Sequence, residues 1–298
     1  MLVVLAISLM ICSRHSSAQN ADQTAGEEVR IVESGEKLAV GTKVIDDWVR
    51  RSAAAVTLYY GRFPIPKVDI VIVGREGTGV HGGRTEPSDP VSVSVFVGAN
   101  STADDLMHKD WVLVHEMIHT GLPWLPRRNS WFHEGVAVYV ESVARVQAGH
   151  LTQEIVLRDF VRQMPRGQSD RGGFDTSQSW ARTYWGGALF CLVADVAINR
   201  ETSNKYGLQD ALRAINKSGN YSSEGKLDDL LAIGDKATGT TILTDLRVKY
   251  AGAPMAIDLD ALWASLGVKV GPDGTVTLDE SAPEAPIRDA IFSPRPSN

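Results

Sequence analysis

Apolar positions change their period along this chain, and the changes outline its elements. From about Leu38 to Tyr60, Val40, Val44, Trp48, Val49, Ala53 and Val56 recur at helical spacing, which predicts one amphipathic helix ended by Gly61 and two prolines. "KVDIVIVG" (67–74) reads as a buried strand, and "VSVSVFVG" (91–98) alternates strictly, placing Val91, Val93, Val95 and Val97 on one face. The stretch between them, "GREGTGVHGGRTEPSDP", reads as a glycine-rich loop. Thr102 followed by Asp105 has the form of a capping box, so a helix is expected over about 103–120, stopped by Gly121 and Pro123. A second is expected over about 131–148, stopped by Gly149, with others near 151–164, 180–199, 207–217 and 257–266. "VKVGPDGTVTL" reads as a hairpin around a Gly-Pro-Asp-Gly turn. The pattern predicts an α+β fold: a strand-containing N-terminal lobe, a helical C-terminal lobe, and the chemistry where they meet.

Composition adds limits to this outline. With 298 residues, 43% hydrophobic and 22% charged, the chain has material for one large or two modest domains. The formal net charge is -6 and no basic block occurs, which argues against a nucleic-acid partner. Met1 to Cys12 is an apolar run, and Ser16 and Ala18 suit a small-residue cleavage site. Residues 1–18 therefore read as a signal peptide too short to span a membrane, although the first charge, Arg14, follows the run rather than preceding it. The expectation is an exported protein, periplasmic or extracellular, with no stable membrane span. Its organisation would be a flexible segment over 19–36, a catalytic domain over 37–266, and a hairpin with a disordered tail over 267–298. Cleavage would leave Cys191 as the sole cysteine, inside the apolar run "GGALFCLVADV", where a buried thiol is expected rather than a nucleophile.

The stretch "WVLVHEMIHTGLPWLPRRNSWFHEGVAVYVE" (111–141) departs from ordinary core composition, with three histidines and three glutamates among apolar residues. His115 and His119, four apart, stand one turn above each other on a helix face, where two imidazoles can share one metal ion. Glu116, one step round, can reach a metal-bound water without ligating, which is the H-E-x-x-H arrangement. A catalytic zinc takes three protein ligands and keeps one position open. The extended motif with a third histidine fails, because Leu122 and Leu125 occupy its glycine and histidine positions. Glu134, on the next expected helix, is the candidate third ligand. His133 is chemically suitable but points about 100° away on the same helix. Glu141 shares the face of Glu134, either accepting the second N–H of a ligand histidine or lying solvated. His81, His108 and His150 are isolated in the sequence.

"VHEMIH" followed by "SWFHEGVAVYVES" resembles the gluzincin metallopeptidases, specifically short peptidase-MA-like members with H-E-x-x-H and then W-x-x-E-G-x-A-x-Y. The resemblance runs from Thr102 to Ile198, about a third of the chain. It implies a thermolysin-like catalytic domain with one Zn2+ held between the lobes by His115, His119 and Glu134, and Glu116 as general base. It also implies a tyrosine that stabilises the oxyanion, which "TYWGGALF" matches at Tyr184, and an edge strand that pairs with substrate, for which "VSVSVFVG" is the nearest candidate. Gluzincin aminopeptidases carry G-x-M-E-N before the zinc helix, and its glutamate grips the free amine. Here the nearest text is Gly98-Ala99-Asn100, without a carboxylate, so an endopeptidase is expected ahead of an aminopeptidase, with Glu86 as a substitute acid otherwise. The expected partner is a peptide or protein substrate. The alternatives are a catalytically inactive binding or assembly module that keeps the fold, and hydrolysis of a non-peptide amide or ester at the same site.

Overall fold

The computed structural model describes residues 28–296, and the leader expected over 1–18 falls outside them. The described chain is a mixed structure in which most strands come first and most helices follow. β1 (Glu28–Gly35), β2 (Lys67–Arg75), β3 (Val80–Glu86) and β4 (Val91–Gly98) form one sheet in the order β1-β2-β4-β3. β1, β2 and β4 run parallel, while β3 returns antiparallel along β4. Val91, Val93, Val95 and Val97 all turn into the core, as their alternation predicts. Between β1 and β2 runs α1 (Thr42–Tyr60), which ends where Gly61 takes a left-handed conformation, φ 81°.

The helical part begins with α2 (Ala103–His108), capped as expected: Asp105 N–H donates to the Thr102 hydroxyl, and Thr102 N–H donates to the Asp105 carboxylate. The single helix expected over about 103–120 is broken at Lys109, whose backbone is not helical, so the histidines lie on a separate α3 (Asp110–His119). α4 (Ser130–Gln147), α5 (Gln153–Gln168) and α6 (Gly187–Glu201) follow. α7 (Leu208–Ser218), α8 (Leu227–Thr238), α9 (Ile242–Lys249) and α10 (Leu259–Ser265) lead to the hairpin of β5 (Val268–Val270) and β6 (Val276–Leu278). α3, α4 and α6 are almost wholly buried and share one core with the inner face of the sheet. Cys191 is buried in α6, as a structural thiol would be.

Two segments differ from the expectation. Within the segment expected to be loose, residues 28–35 form β1, because pairing along β2 satisfies the backbone that a polar sequence leaves open. The tail expected to be disordered contains α11 (Ala285–Phe292), which buries Ile287, Ile291 and Phe292 against the core. Its Pro286 sits in the first turn, where a missing N–H costs no helical bond.

Candidate metal centre

α3 holds His115 and His119 on one side, and their rings meet edge to face with centroids 4.9 Å apart. α4 crosses α3 so that Glu134, in its first two turns, closes the group. His115 Nε2 lies 3.2 Å and His119 Nε2 3.7 Å from Glu134 Oε2. Among the described residues this is the one group of three histidine, cysteine or acidic side chains whose donor atoms all lie within 4.8 Å of one another. A tetrahedral zinc with ligands at 2.0–2.2 Å needs donors roughly 3.4 Å apart, so the spacing fits. Burial opposes the charge on Glu134, but the bond to His115 and the surrounding imidazoles hold its carboxyl down at about 2. Burial brings His119 down to about 3, whereas at His115 burial is outweighed by the bond to Glu134 and the nearby carboxylates, which raise that ring above its ordinary value.

Glu116 stands beside this group without joining it. The Thr85 hydroxyl lies 2.9 Å from Glu116 Oε2 and 2.8 Å from the Glu116 carbonyl oxygen, so β3 fixes the carboxylate. Burial raises the Glu116 carboxyl above its ordinary range, and the charge of His115 and the Thr85 bond only partly offset that. A raised carboxyl is a better proton acceptor near neutrality. The approach of β3 is close: a Cβ on Gly83 would sit 2.5 Å from Glu116 Cγ. Neither Gly83 nor Thr85 was singled out in the sequence. The available signal was a glycine pair inside a short polar run, which marks close backbone approach.

β3, not "VSVSVFVG", is the edge strand at the site. β4 lies between β2 and β3 and has no free side, so it cannot pair with a substrate. Glycines 82 and 83 remove the alternation that would have revealed β3 as a strand, and its register slips between Val80 and Gly82, a bulge beside the cleft.

Tyr184 reaches the cleft on a five-residue π-helical turn, Arg182–Gly186, that leads into α6. Two glycine contacts seat this turn. A Cβ on Gly187 would lie 2.1 Å from the Trp131 carbonyl oxygen and 2.7 Å from Gly135 Cα, and one on Gly167 would lie 2.6 Å from Gly186 N. α6 can therefore touch α4 one residue past Glu134. The Tyr184 ring stacks on His115 at 6.5 Å, and Tyr184 borders the same hollow as Glu134. Burial and the two nearby carboxylates push its phenol up to about 12, so it stays a donor. Beneath it, buried Arg182 donates to the carbonyl oxygens of Asp170, at 2.7 Å, and Gly172.

The other candidates take different places. His133 Nε2 donates to the Pro123 carbonyl oxygen at 2.9 Å, which ties that nitrogen up, and burial brings the ring down to about 4. Glu141 is buried but is not hydrogen-bonded to His115: it accepts from Ser142, at 2.8 Å, and Arg145, at 3.0 Å. The His115 Nδ1 atom has no hydrogen-bond partner among the described residues. His81 is exposed on β3, and His150 Nδ1 lies 4.0 Å from Asp110. Glu86 pairs with Arg84 at 3.2 Å. Two hollows open from the site, and His115, Glu116, Tyr184 and Gly83 border both. One, of about 330 Å³, contains the Glu134 carboxylate and is bordered by Arg84, Arg127 and Tyr221. The other, of about 510 Å³, is walled by Trp111, Trp180 and Trp185.

No protein-family model matches the chain, and no curated protein matches it. Solved structures do share its fold. An aminopeptidase N family protein from Idiomarina loihiensis superposes with a TM-score of 0.57 at 14% identity, covering 85% of this chain and 50% of that one. An M1 zinc metallopeptidase from Deinococcus radiodurans gives 0.51 at 15% identity, covering 76% and 48%. A two-domain M1 zinc metallopeptidase mutant bound to L-tryptophan gives 0.52 at 15% identity, covering 76% and 49%. The chain thus spans about half the length of the structures it matches, and at this identity the likeness is one of fold: mixed helix and strand, as in M1 peptidase domains.

Proposed function

We propose that this chain is a zinc-dependent gluzincin peptidase of the short peptidase-MA-like kind, with a thermolysin-like arrangement of lobes about the site, acting on an exported peptide or protein. The observation that carries the reading is the juxtaposition of a His115–His119–Glu134 donor group with an unligated, buried Glu116 carboxylate at one cleft. His115, His119 and Glu134 would hold one Zn2+, which when bound polarises the scissile carbonyl and brings the pKa of water toward neutrality. The Glu116 carboxylate accepts the proton of the attacking water and returns it to the leaving nitrogen. The Tyr184 hydroxyl, protonated across the working range, donates to the carbonyl oxygen as that oxygen gains charge. β3 offers its free edge to an extended peptide, whose backbone would add to the sheet. A purely structural ion would give the Glu116 position no task. Export rests on residues 1–18 and belongs to the same proposal.

Within this reading, cleavage inside a chain is favoured over removal of an amino-terminal residue. Glu116 and Glu134 are the carboxylates bordering the polar hollow, and both already have tasks, so no acid is left to hold a free ammonium. The likeness to an aminopeptidase N family protein supports the second possibility, an aminopeptidase using Glu86. A peptide-library digest read by mass spectrometry, with and without a chelator, tests both. Chelator-sensitive cuts at internal bonds of amino-terminally blocked peptides are expected. Cuts confined to unblocked first residues would make the enzyme an aminopeptidase, and inertness on every peptide would remove the peptidase reading.

A further inference from the structure

The two hollows share Gly83, His115, Glu116 and Tyr184, and the residues of β3 that border each give them an order along that strand. Its earlier residues, Gly82 and Gly83, border the tryptophan-walled hollow, while Gly83, Arg84 and Thr85 border the polar one. Glu116, His115 and Tyr184 border both, so the bond to be cut lies between them. A peptide added antiparallel to the outer edge of β3 would lay its carboxyl-terminal part toward Gly82 and its amino-terminal part toward Arg84. Residues before the scissile bond would then enter the polar hollow.

The charges at that end are uneven. The Glu134 carboxylate faces His115 and His119, and the Glu116 carboxylate is held by Thr85. What remains is Arg84 and Arg127, two exposed guanidiniums whose planar forks suit a carboxylate. Glu86 pairs with Arg84 at 3.2 Å but does not border the hollow, and an exposed pair of this kind exchanges readily for a substrate carboxylate. Tyr221, whose hydroxyl donates to the Thr85 carbonyl oxygen at 3.4 Å, closes the same end. An ammonium placed beside Arg84 and Arg127 meets two cations, whereas a carboxylate there meets two partners suited to planar, bidentate contact.

We propose that this end of the cleft selects an acidic residue, aspartate or glutamate, on the amino side of the scissile bond, with Arg127 and Arg84 as the specificity-determining residues. The proposal rests on the peptidase reading and names its substrate class. The test uses blocked, internally quenched peptides identical except for Glu, Gln or Lys at the positions preceding the cut. For the wild type, kcat/KM should fall in the order Glu, Gln, Lys, with roughly 5- to 20-fold between the extremes, the range for two partly exposed ion pairs. The spread should narrow in high salt, because exposed charges are screened. Arg127→Glu should bring the Lys peptide above the Glu peptide, and Arg84→Ala should shrink the spread without reversing it. Equal rates for the three peptides, or an unchanged order in Arg127→Glu, would overturn the proposal while leaving a chelator-sensitive peptidase in place. The Kd values of the same peptides for the Glu116→Gln protein provide a readout that needs no turnover. They should follow the same order, and equal Kd values overturn the proposal whether or not any peptide is cut.

Discussion

Two parts of the site hold their groups in different ways. On α3 and the first turns of α4, His115, Glu116, His119 and Glu134 sit on regular helices, and the helix period decides which side each presents. The turn that carries Tyr184 is irregular. Its five residues follow π-helical bonding, and its position depends on Gly187 meeting Trp131 and Gly135, on Gly186 meeting Gly167, and on Arg182 bonding the carbonyl oxygens of Asp170 and Gly172. Wide turns of this kind recur at functional sites because they re-aim a side chain that a regular helix would bury. The difference teaches that His115 and His119 are brought together by the period of one helix, while Tyr184 is placed by packing between distant segments.

If that contrast is right, the regular helices carry the largest effects. Glu134→Ala should remove most of the zinc, and with it activity, because two ligands bind a metal far more weakly than three. Metal analysis of the purified protein checks this, and full retention would pass the third-ligand role to another group. Glu116→Gln should keep both metal and fold while lowering turnover about 100- to 10,000-fold, the span of a general-base contribution. A mutant that hydrolyses peptides at the wild-type rate would end the proposed mechanism.

The packed turn should show smaller and more separable losses. Tyr184→Phe should leave zinc content and KM nearly unchanged and lower kcat roughly 10- to 1000-fold. Normal turnover would reduce Tyr184 to a packing residue. Gly187→Ala presses a methyl against the Trp131 carbonyl oxygen, so unfolding titrations should show a loss of about 1–3 kcal/mol, with kcat falling as Tyr184 shifts. Unchanged stability would mean that α4 and α6 can separate without cost. Trp180→Ala removes an indole that is 57% exposed and stacks on Tyr184 at 5.4 Å. Stability should stay within about 0.5 kcal/mol, with only a severalfold change in kcat.

The sequence by itself determined what depends on near neighbours. A four-residue spacing places His115 and His119 together on any helix, Thr102 and Asp105 cap a helix start wherever they meet, and alternation sends four valines of β4 inward. The tertiary structure decided what depends on segments far apart in the chain. It made β3 rather than β4 the edge strand, since strand order is a matter of long-range pairing that β4's alternation cannot express. It turned His133 to the Pro123 carbonyl and Glu141 to Arg145, because a buried polar group takes whichever partner the fold brings near. It folded residues 285–292 onto the core, where apolar burial offsets the ordering of a polar tail. It also brought Tyr184 to Glu134, through glycine contacts whose partners lie tens of residues away in the chain.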